Sequence, residues 1–136
     1  MKHLFAAALM LVLSVLPGLA QDARSDEVTQ TIQSQLDAFQ KDDFSKAFTY
    51  ASPTIKRLFG SPDRFGAMVR NGFPMVWRPS EVQFLEFKDV GGRISQTVLF
   101  RDASGVPTVL EYFMIKTPSG WQIDGVQPVE APDVAV

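Results

Sequence analysis

The sequence predicts an α+β fold, with N-terminal helices packed on a curved antiparallel sheet of about four strands. Apolar residues recur at helical spacing as far as Val69, and beyond Pro79 the period falls to two. Between the two regimes lies Ser61–Pro79, a stretch punctuated by Pro62, Asn71-Gly72, Pro74 and Pro79. Turn signals at Gly91-Gly92, Asp102–Gly105 and Thr117–Gly120 then divide the second half into the strands of a meander.

The chain opens on an export signal. Lys2 and His3 form a short basic region, Leu4 to Leu16 an apolar run, and Pro17-Gly18-Leu19-Ala20 a small-residue cleavage site. The apolar run is shorter than the roughly 20 residues a spanning helix needs, which favours cleavage after Ala20 over a retained anchor. Residues 1–20 are therefore expected to be a signal peptide, and residues 21–136 a single α+β domain.

Gln21 to Arg24 reads as a polar leader. From Ser25, with Asp26 and Glu27 in the first turn, Val28, Ile32, Leu36 and Phe39 form one apolar stripe. Lys41-Asp42-Asp43 ends this helix, and either aspartate can cap the next. Phe44, Ala47, Phe48 and Ala51 repeat the pattern, and Thr54 to Phe59 forms a short helix closed by Gly60. A further helix begins with Ser61 as N-cap, Pro62 at the first position and Asp63 in the first turn, and buries Phe65, Met68 and Val69. Asn71-Gly72 is expected to end it with a left-handed glycine. Pro74 and Pro79 are expected to bracket an extended segment carrying Met75, Val76 and Trp77. The strands are Glu81–Phe87, Arg93–Arg101, Thr108–Lys116 and Trp121–Val126, the last with a possible extension to Val129 before a frayed tail.

Composition narrows the chemistry. The formal net charge is −2 with no basic run, so a nucleic-acid partner is not expected. There is no cysteine, and the single histidine is His3, which leaves with the signal peptide. Ser-His-Asp and Cys-His nucleophiles, thiol redox chemistry and ordinary zinc sites are thereby excluded from the mature chain. No metal constellation appears, no cofactor is implied, and no membrane span remains after cleavage.

Candidate site residues follow from turn parity. An even loop at Asp102–Gly105 places Gln96 opposite Glu111, and an even loop at Thr117–Gly120 places Ile123 opposite Met114 and Gly125 opposite Tyr112. One face then carries Leu99, Leu110, Tyr112, Met114, Trp121 and Ile123 towards the helices. The other carries Ile94, Val98, Val109, Phe113 and Ile115 around Gln96, Glu111 and Asp124. Glu111, set between Val109 and Phe113, is either a general base or a carboxylate paired with Gln96 or an arginine. Tyr112 either donates its hydroxyl into a cavity or is plain core. Trp77-Arg78 suits the rim of a ligand cleft, or Trp77 plugs the core while Arg78 pairs with a carboxylate. Tyr50 is core or cavity lining.

The chain resembles a family of short exported bacterial proteins classed as a domain of unknown function. The resemblance rests on Gln35-x-x-Ala38-Phe39, Ala47-Phe48-x-Tyr50-Ala51, the run from Phe59-Gly60-x-Pro62 through Phe65, Met68 and Val69 to Arg78-Pro79, and on Gln96, Tyr112 and Gly120-Trp121-x-Ile123. Such proteins look related to the cystatin-like cone of nuclear transport factor two, ketosteroid isomerases and polyketide cyclases, which implies a bent sheet wrapped on helices with a pocket at its open end. The resemblance implies no activity.

The expected function is a periplasmic or secreted module that binds a small apolar ligand or a protein partner without catalysis, through Trp77, Arg78, Tyr112, Tyr50, Gln96 and Glu111. The alternative is a carboxylate/Tyr-dependent isomerase, cyclase or hydratase, although adjacent strand residues such as Glu111 and Tyr112 point to opposite faces. A homodimer through the sheet face is a third expectation. Export is checked by N-terminal sequencing of the protein from its native envelope: the expected first residue is Gln21, and retention of Lys2 would make the chain membrane-anchored.

Overall fold

The computed structural model describes residues 17–130, with side chains from residue 23 onward. The expected basic and apolar signal segments (residues 2–16) and the last six positions of the expected tail lie outside the described residues. The elements run α1 (Pro17–Gln40), α2 (Phe44–Thr49), α3 (Pro53–Phe59), α4 (Pro62–Gly72), α5 (Pro74–Trp77), β1 (Glu81–Val90), β2 (Arg93–Arg101), β3 (Pro107–Thr117) and β4 (Gly120–Pro128). The strands form one antiparallel sheet in the order β1-β2-β3-β4, with the helices over one face. This α+β arrangement is consistent with a cystatin-like cone.

The helices arise where apolar period and caps agree. Val28, Ile32, Leu36 and Phe39 of α1 are all buried, the stripe their spacing predicts. Gln21 to Arg24 is not a loose leader, because α1 already runs through it. Asp43 caps α2 by accepting from the Lys46 amide, Ser52 caps α3, and Ser61 caps α4. Gly60 closes α3 at φ 78°.

Two expectations around α4 fail. Gly72 stays inside the helix, and Phe73 at φ −133° is the C-cap. Pro74–Trp77 is a short helix rather than an extended segment. Proline at a first helical position lacks only an N–H that has no helical partner there anyway, so Pro74 starts a turn as readily as it breaks one.

The strand positions hold, but their register differs from the parity argument. Arg101 pairs with Pro107, so the intervening loop, residues 102–106, is odd. Asp102 shapes that loop, its Oδ1 accepting from the amides of Ser104 at 2.8 Å and Val106 at 3.0 Å. Gln96 therefore lies opposite Tyr112 and not Glu111, whose partner is Thr97. The whole of β2 turns over as a result: Ile94, Gln96, Val98 and Phe100 face the helices, and Leu99 faces away.

Two bulges shift the ladder further, and the second corrects the expected pairing of Gly125 with Tyr112. Between Phe84 and Phe87 the pairing slips, so Val82, Phe84 and Phe87 all pack on the core while Leu85 is exposed. A second slip at Phe113/Met114 puts Gly125 opposite Phe113 and Val126 opposite Tyr112, although Met114 does pair with Ile123 as expected. Leu110, Tyr112, Met114 and Ile123 are buried under the helices, with Trp121 half-buried beside them.

Within α4, Gly66 is a packing necessity. A Cβ there would lie 2.7 Å from Cγ and Cδ1 of Phe44, whereas a Cβ on Gly72 would meet nothing within 4 Å. Alanine improves helix propensity by about 1 kcal/mol at either position, but overpacking costs about 1–3 kcal/mol. Gly72→Ala is expected to raise the denaturation midpoint and Gly66→Ala to lower it; a gain at both positions would show that Phe44 swings aside freely.

Candidate functional site

An apolar cavity of about 260 Å³ opens between the helices and the β3–β4 edge of the sheet. Phe39 of α1, Ile55, Leu58 and Phe59 of α3, Phe65, Met68 and Val69 of α4, and Val76 of α5 supply one wall. Ala51, Tyr112, Ile123, Gly125 and Val126 supply the other. Ala51 belongs to the sheet side because the α2–α3 link docks on β4: the Ile123 amide donates to Tyr50 O at 2.8 Å and the Ser52 amide donates to Ile123 O at 2.9 Å.

Ring packing fixes the helical wall. Phe65 contacts Phe48, Phe59 and Phe39 with centroids 5.3, 5.8 and 5.9 Å apart, so α1, α2, α3 and α4 meet at one side chain. Tyr112, only 1 % exposed, packs at 6.3 Å on Phe100 below it. Burial pushes the Tyr112 phenol well above its ordinary range, so it is a neutral donor at any physiological pH. Gln35 is the other polar lining residue; its Nε2 donates to Ala47 O at 3.2 Å, which directs the amide plane at the α1–α2 contact. No Asp or Glu is among the residues that line this cavity.

The remaining expected site residues are scattered. Gln96 sits in the core with Nε2 donating to Thr97 O at 2.9 Å, and its Oε1 is sealed from solvent without a partner. Glu111 lies on the opposite face of the sheet, where Ser95 Oγ donates at 3.5 Å, Gln127 Nε2 at 3.4 Å, and Lys88 Nζ stands 3.9 Å away. Tyr50 lines a separate polar groove of about 460 Å³ with Thr31, Thr49, Lys56 and Trp121. Glu111 and Tyr112 therefore do not converge on one reacting centre.

Trp77 and Arg78 are not among the lining residues of the cavity; they form a clamp. Trp77 Nε1 donates to Asp42 Oδ1 at 2.9 Å, and Arg78 Nη2 donates to both Asp42 oxygens at 3.0 and 3.1 Å. Arg78 Nη1 also donates to Phe39 O at 2.8 Å, and the guanidinium stacks 4.4 Å over the Trp77 ring. Asp42 itself holds φ 54°, a conformation aspartate tolerates better than most residues. The indole hydrogen bond first, then Arg78, hold the Asp42 carboxyl below its ordinary value of 3.8.

Of the residues that line this cavity, Tyr112 is the one that sequence analysis offers as a site residue; Phe39, Phe65, Met68, Val69 and Ile123 read there as buried packing, and Ile55, Leu58 and Gly125 carry no signal. Among the described residues no cluster of His, Cys, Asp or Glu is placed to hold a metal ion, and no helix is long and apolar enough to cross a membrane.

Because the folded-state pKa of Asp42 is depressed, its contribution to stability is complete above the ordinary carboxyl range and is lost as pH falls through the folded value. Asp42→Asn keeps a side chain that accepts positive φ and removes the charge. Denaturant midpoints of wild type and variant should differ near neutrality and converge as the pH falls below the ordinary carboxyl range. A gap that stays constant with pH would show that the carboxylate charge is not what the clamp uses.

With the fold and cavity in view, one comparison places the chain. The family model described as Domain of unknown function (DUF4864) matches residues 21–136, and the chain belongs to that family. No curated protein and no solved structure matches it.

Proposed function

We propose that this member of the DUF4864 family is an exported module that binds a small, uncharged apolar or amphipathic molecule in the cavity between helices and sheet. The observation that carries the reading is the lining: apolar side chains from several elements, with the neutral Tyr112 phenol and the Gln35 amide as the polar lining side chains. Pockets of this kind take most of their affinity from buried apolar area and their orientation from a few polar groups. An engineered apolar cavity of about 150 Å³ accepts benzene, so about 260 Å³ suits a substituted ring or a short branched chain.

Export is part of the proposal. It is supported by the basic, apolar and small-residue succession of residues 2–20, and by a family match that begins at Gln21, just after the expected cleavage point. Kinship with the cystatin-like superfamily is supported by the element order, helices followed by a four-stranded meander.

The enzymatic alternative has less support. Proton transfer by a carboxylate/Tyr pair needs both groups within reach of one substrate atom. Glu111 shares Tyr112's strand but not its face, and the residue paired with Tyr112 across the ladder is Gln96, an amide and not a carboxylate.

The binding reading is tested with a neutral fluorescent apolar probe such as N-phenyl-1-naphthylamine and with a thermal-shift panel of small neutral aromatics. Saturable binding is expected, and Ala51→Leu, which fills the cavity from its sheet side, should reduce affinity at least tenfold, a change of about 1.4 kcal/mol, while the protein stays folded. Undiminished binding in a folded Ala51→Leu variant would place the probe elsewhere, and no saturable binding by any probe would remove the reading.

A further inference from the structure

The polar groove beside Tyr50 shares no lining residue with the apolar cavity. At about 460 Å³ it falls within the size range of small-molecule sites. Its position follows from the α2–α3 link, which is bonded along β4 through Tyr50 O and the Ser52 amide to Ile123. Lys56 of α3 and the β3–β4 turn thereby come to line one groove. The turn is stapled by Thr117, whose Oγ1 donates to Gly120 O at 2.9 Å and accepts from the Ser119 amide at 3.2 Å. Trp121 is a fixed wall: its Nε1 donates to Glu27 Oε2 at 2.7 Å, and Lys116 Nζ donates to the same oxygen at 3.3 Å.

The polar groups of this lining are unsatisfied within the protein. Gln122 is only 8 % exposed, and its Oε1 is sealed from solvent with no partner among the described residues. Such an amide is costly to leave unpaired, and its soft terminal torsion lets it turn to meet a hydroxyl in the groove. Thr31 and Thr49 donate their hydroxyl protons to the carbonyls of Glu27 and Lys46, so both oxygens face a ligand as acceptors. Lys56 forms no ion pair among the described residues, and no Asp or Glu lines the groove. The carboxylate beside Trp121, that of Glu27, is already taken by the indole and Lys116.

We propose that this groove is a second ligand site, for a sugar that carries one carboxylate. Lys56 meets the carboxylate, Gln122 and the threonine oxygens meet ring hydroxyls, and Trp121 supplies an apolar wall for the face of the ring. A single ammonium, with no guanidinium fork or second cation in the lining, suits one carboxylate better than a phosphate dianion. A peptide strand finds no room on the β4 edge here, because the amide and carbonyl of Ile123 are already bonded to the α2–α3 link. The proposal is independent of the binding reading of the apolar cavity.

The test is a titration of the ¹⁵N-labelled protein with glucuronate, glucose and acetate, followed by its two tryptophan indole signals. Glucuronate should shift the Trp121 indole saturably and leave that of Trp77, which is bonded to Asp42, in place. Glucose should bind about tenfold more weakly, as expected for loss of one charge-assisted hydrogen bond, and acetate should not saturate. Lys56→Gln should reduce glucuronate affinity to that of glucose and leave glucose unchanged, whereas Gln122→Leu should weaken both sugars, with circular dichroism confirming that each variant is folded. The proposal is overturned by the absence of a saturable shift with glucuronate, by acetate binding as tightly as glucuronate, or by a glucuronate affinity that Lys56→Gln does not move.

Discussion

The helical layer depends on one carboxylate. Asp42 lies in the turn between α1 and α2, and it is held at positive φ where it receives hydrogen bonds from Trp77 and Arg78. These bonds span more than thirty positions of sequence and tie the end of α5 back to the end of α1. Because Arg78 also reaches the Phe39 carbonyl, the position of Phe39 and that of Val76 are set together. Both line the cavity, on either side of the same junction. The clamp is half-exposed, so its charge term is modest; its contribution is geometric, fixing where the helices stop.

That geometry leaves apolar side chains around an open cleft of about 260 Å³, and packing holds its walls apart. Phe65 is wedged among Phe39, Phe48 and Phe59, Phe44 lies hard against Gly66, and the Ala51–Ile123 bridge holds the α2–α3 link to the sheet edge. This apolar frame opens to the outside at Leu58, and it is the observation on which the proposed binding reading rests.

Much of this was legible in the sequence, and the failures have definite causes. Period and capping chemistry located the helices and strands, because Ser52, Asp43, Ser61 and the Gly91-Gly92 turn act locally. Register did not follow, because it turns on a single residue in the 102–106 loop and on two bulges that no local pattern announces. Within β2 the pattern did hold a clue: Ile94, Val98 and Phe100 share one parity and outweigh Leu99. Of the two readings of Arg78, the structure shows the carboxylate-paired one, with Asp42; the backbone before it was misread because a segment between prolines looks extended, whereas Pro74 initiates α5. Cavity residues such as Ile55 and Leu58 were illegible for a deeper reason, since a side chain facing a void and one facing a core have the same helical spacing.

The odd loop decides more than the hydrogen-bond ladder. Had residues 102–106 been one fewer, Gln96 would have lain across from Glu111, and the two sides of β2 would have exchanged places. As built, the ladder sends Gln96 and Tyr112 inward and leaves Glu111 among Ser95, Lys88 and Gln127 on the outer face. The interior thus receives an amide and a phenol whose pKa is raised by burial, and the carboxylate stays where neighbouring polar groups and solvent satisfy it. A charged ligand would find no counter-ion among the residues lining the cavity and would lose its hydration on entry, a cost of several kcal/mol. An apolar ligand with one hydrogen-bonding group loses far less and can meet the Tyr112 hydroxyl. On the proposed binding reading, a preference for neutral over charged ligands would follow from strand register.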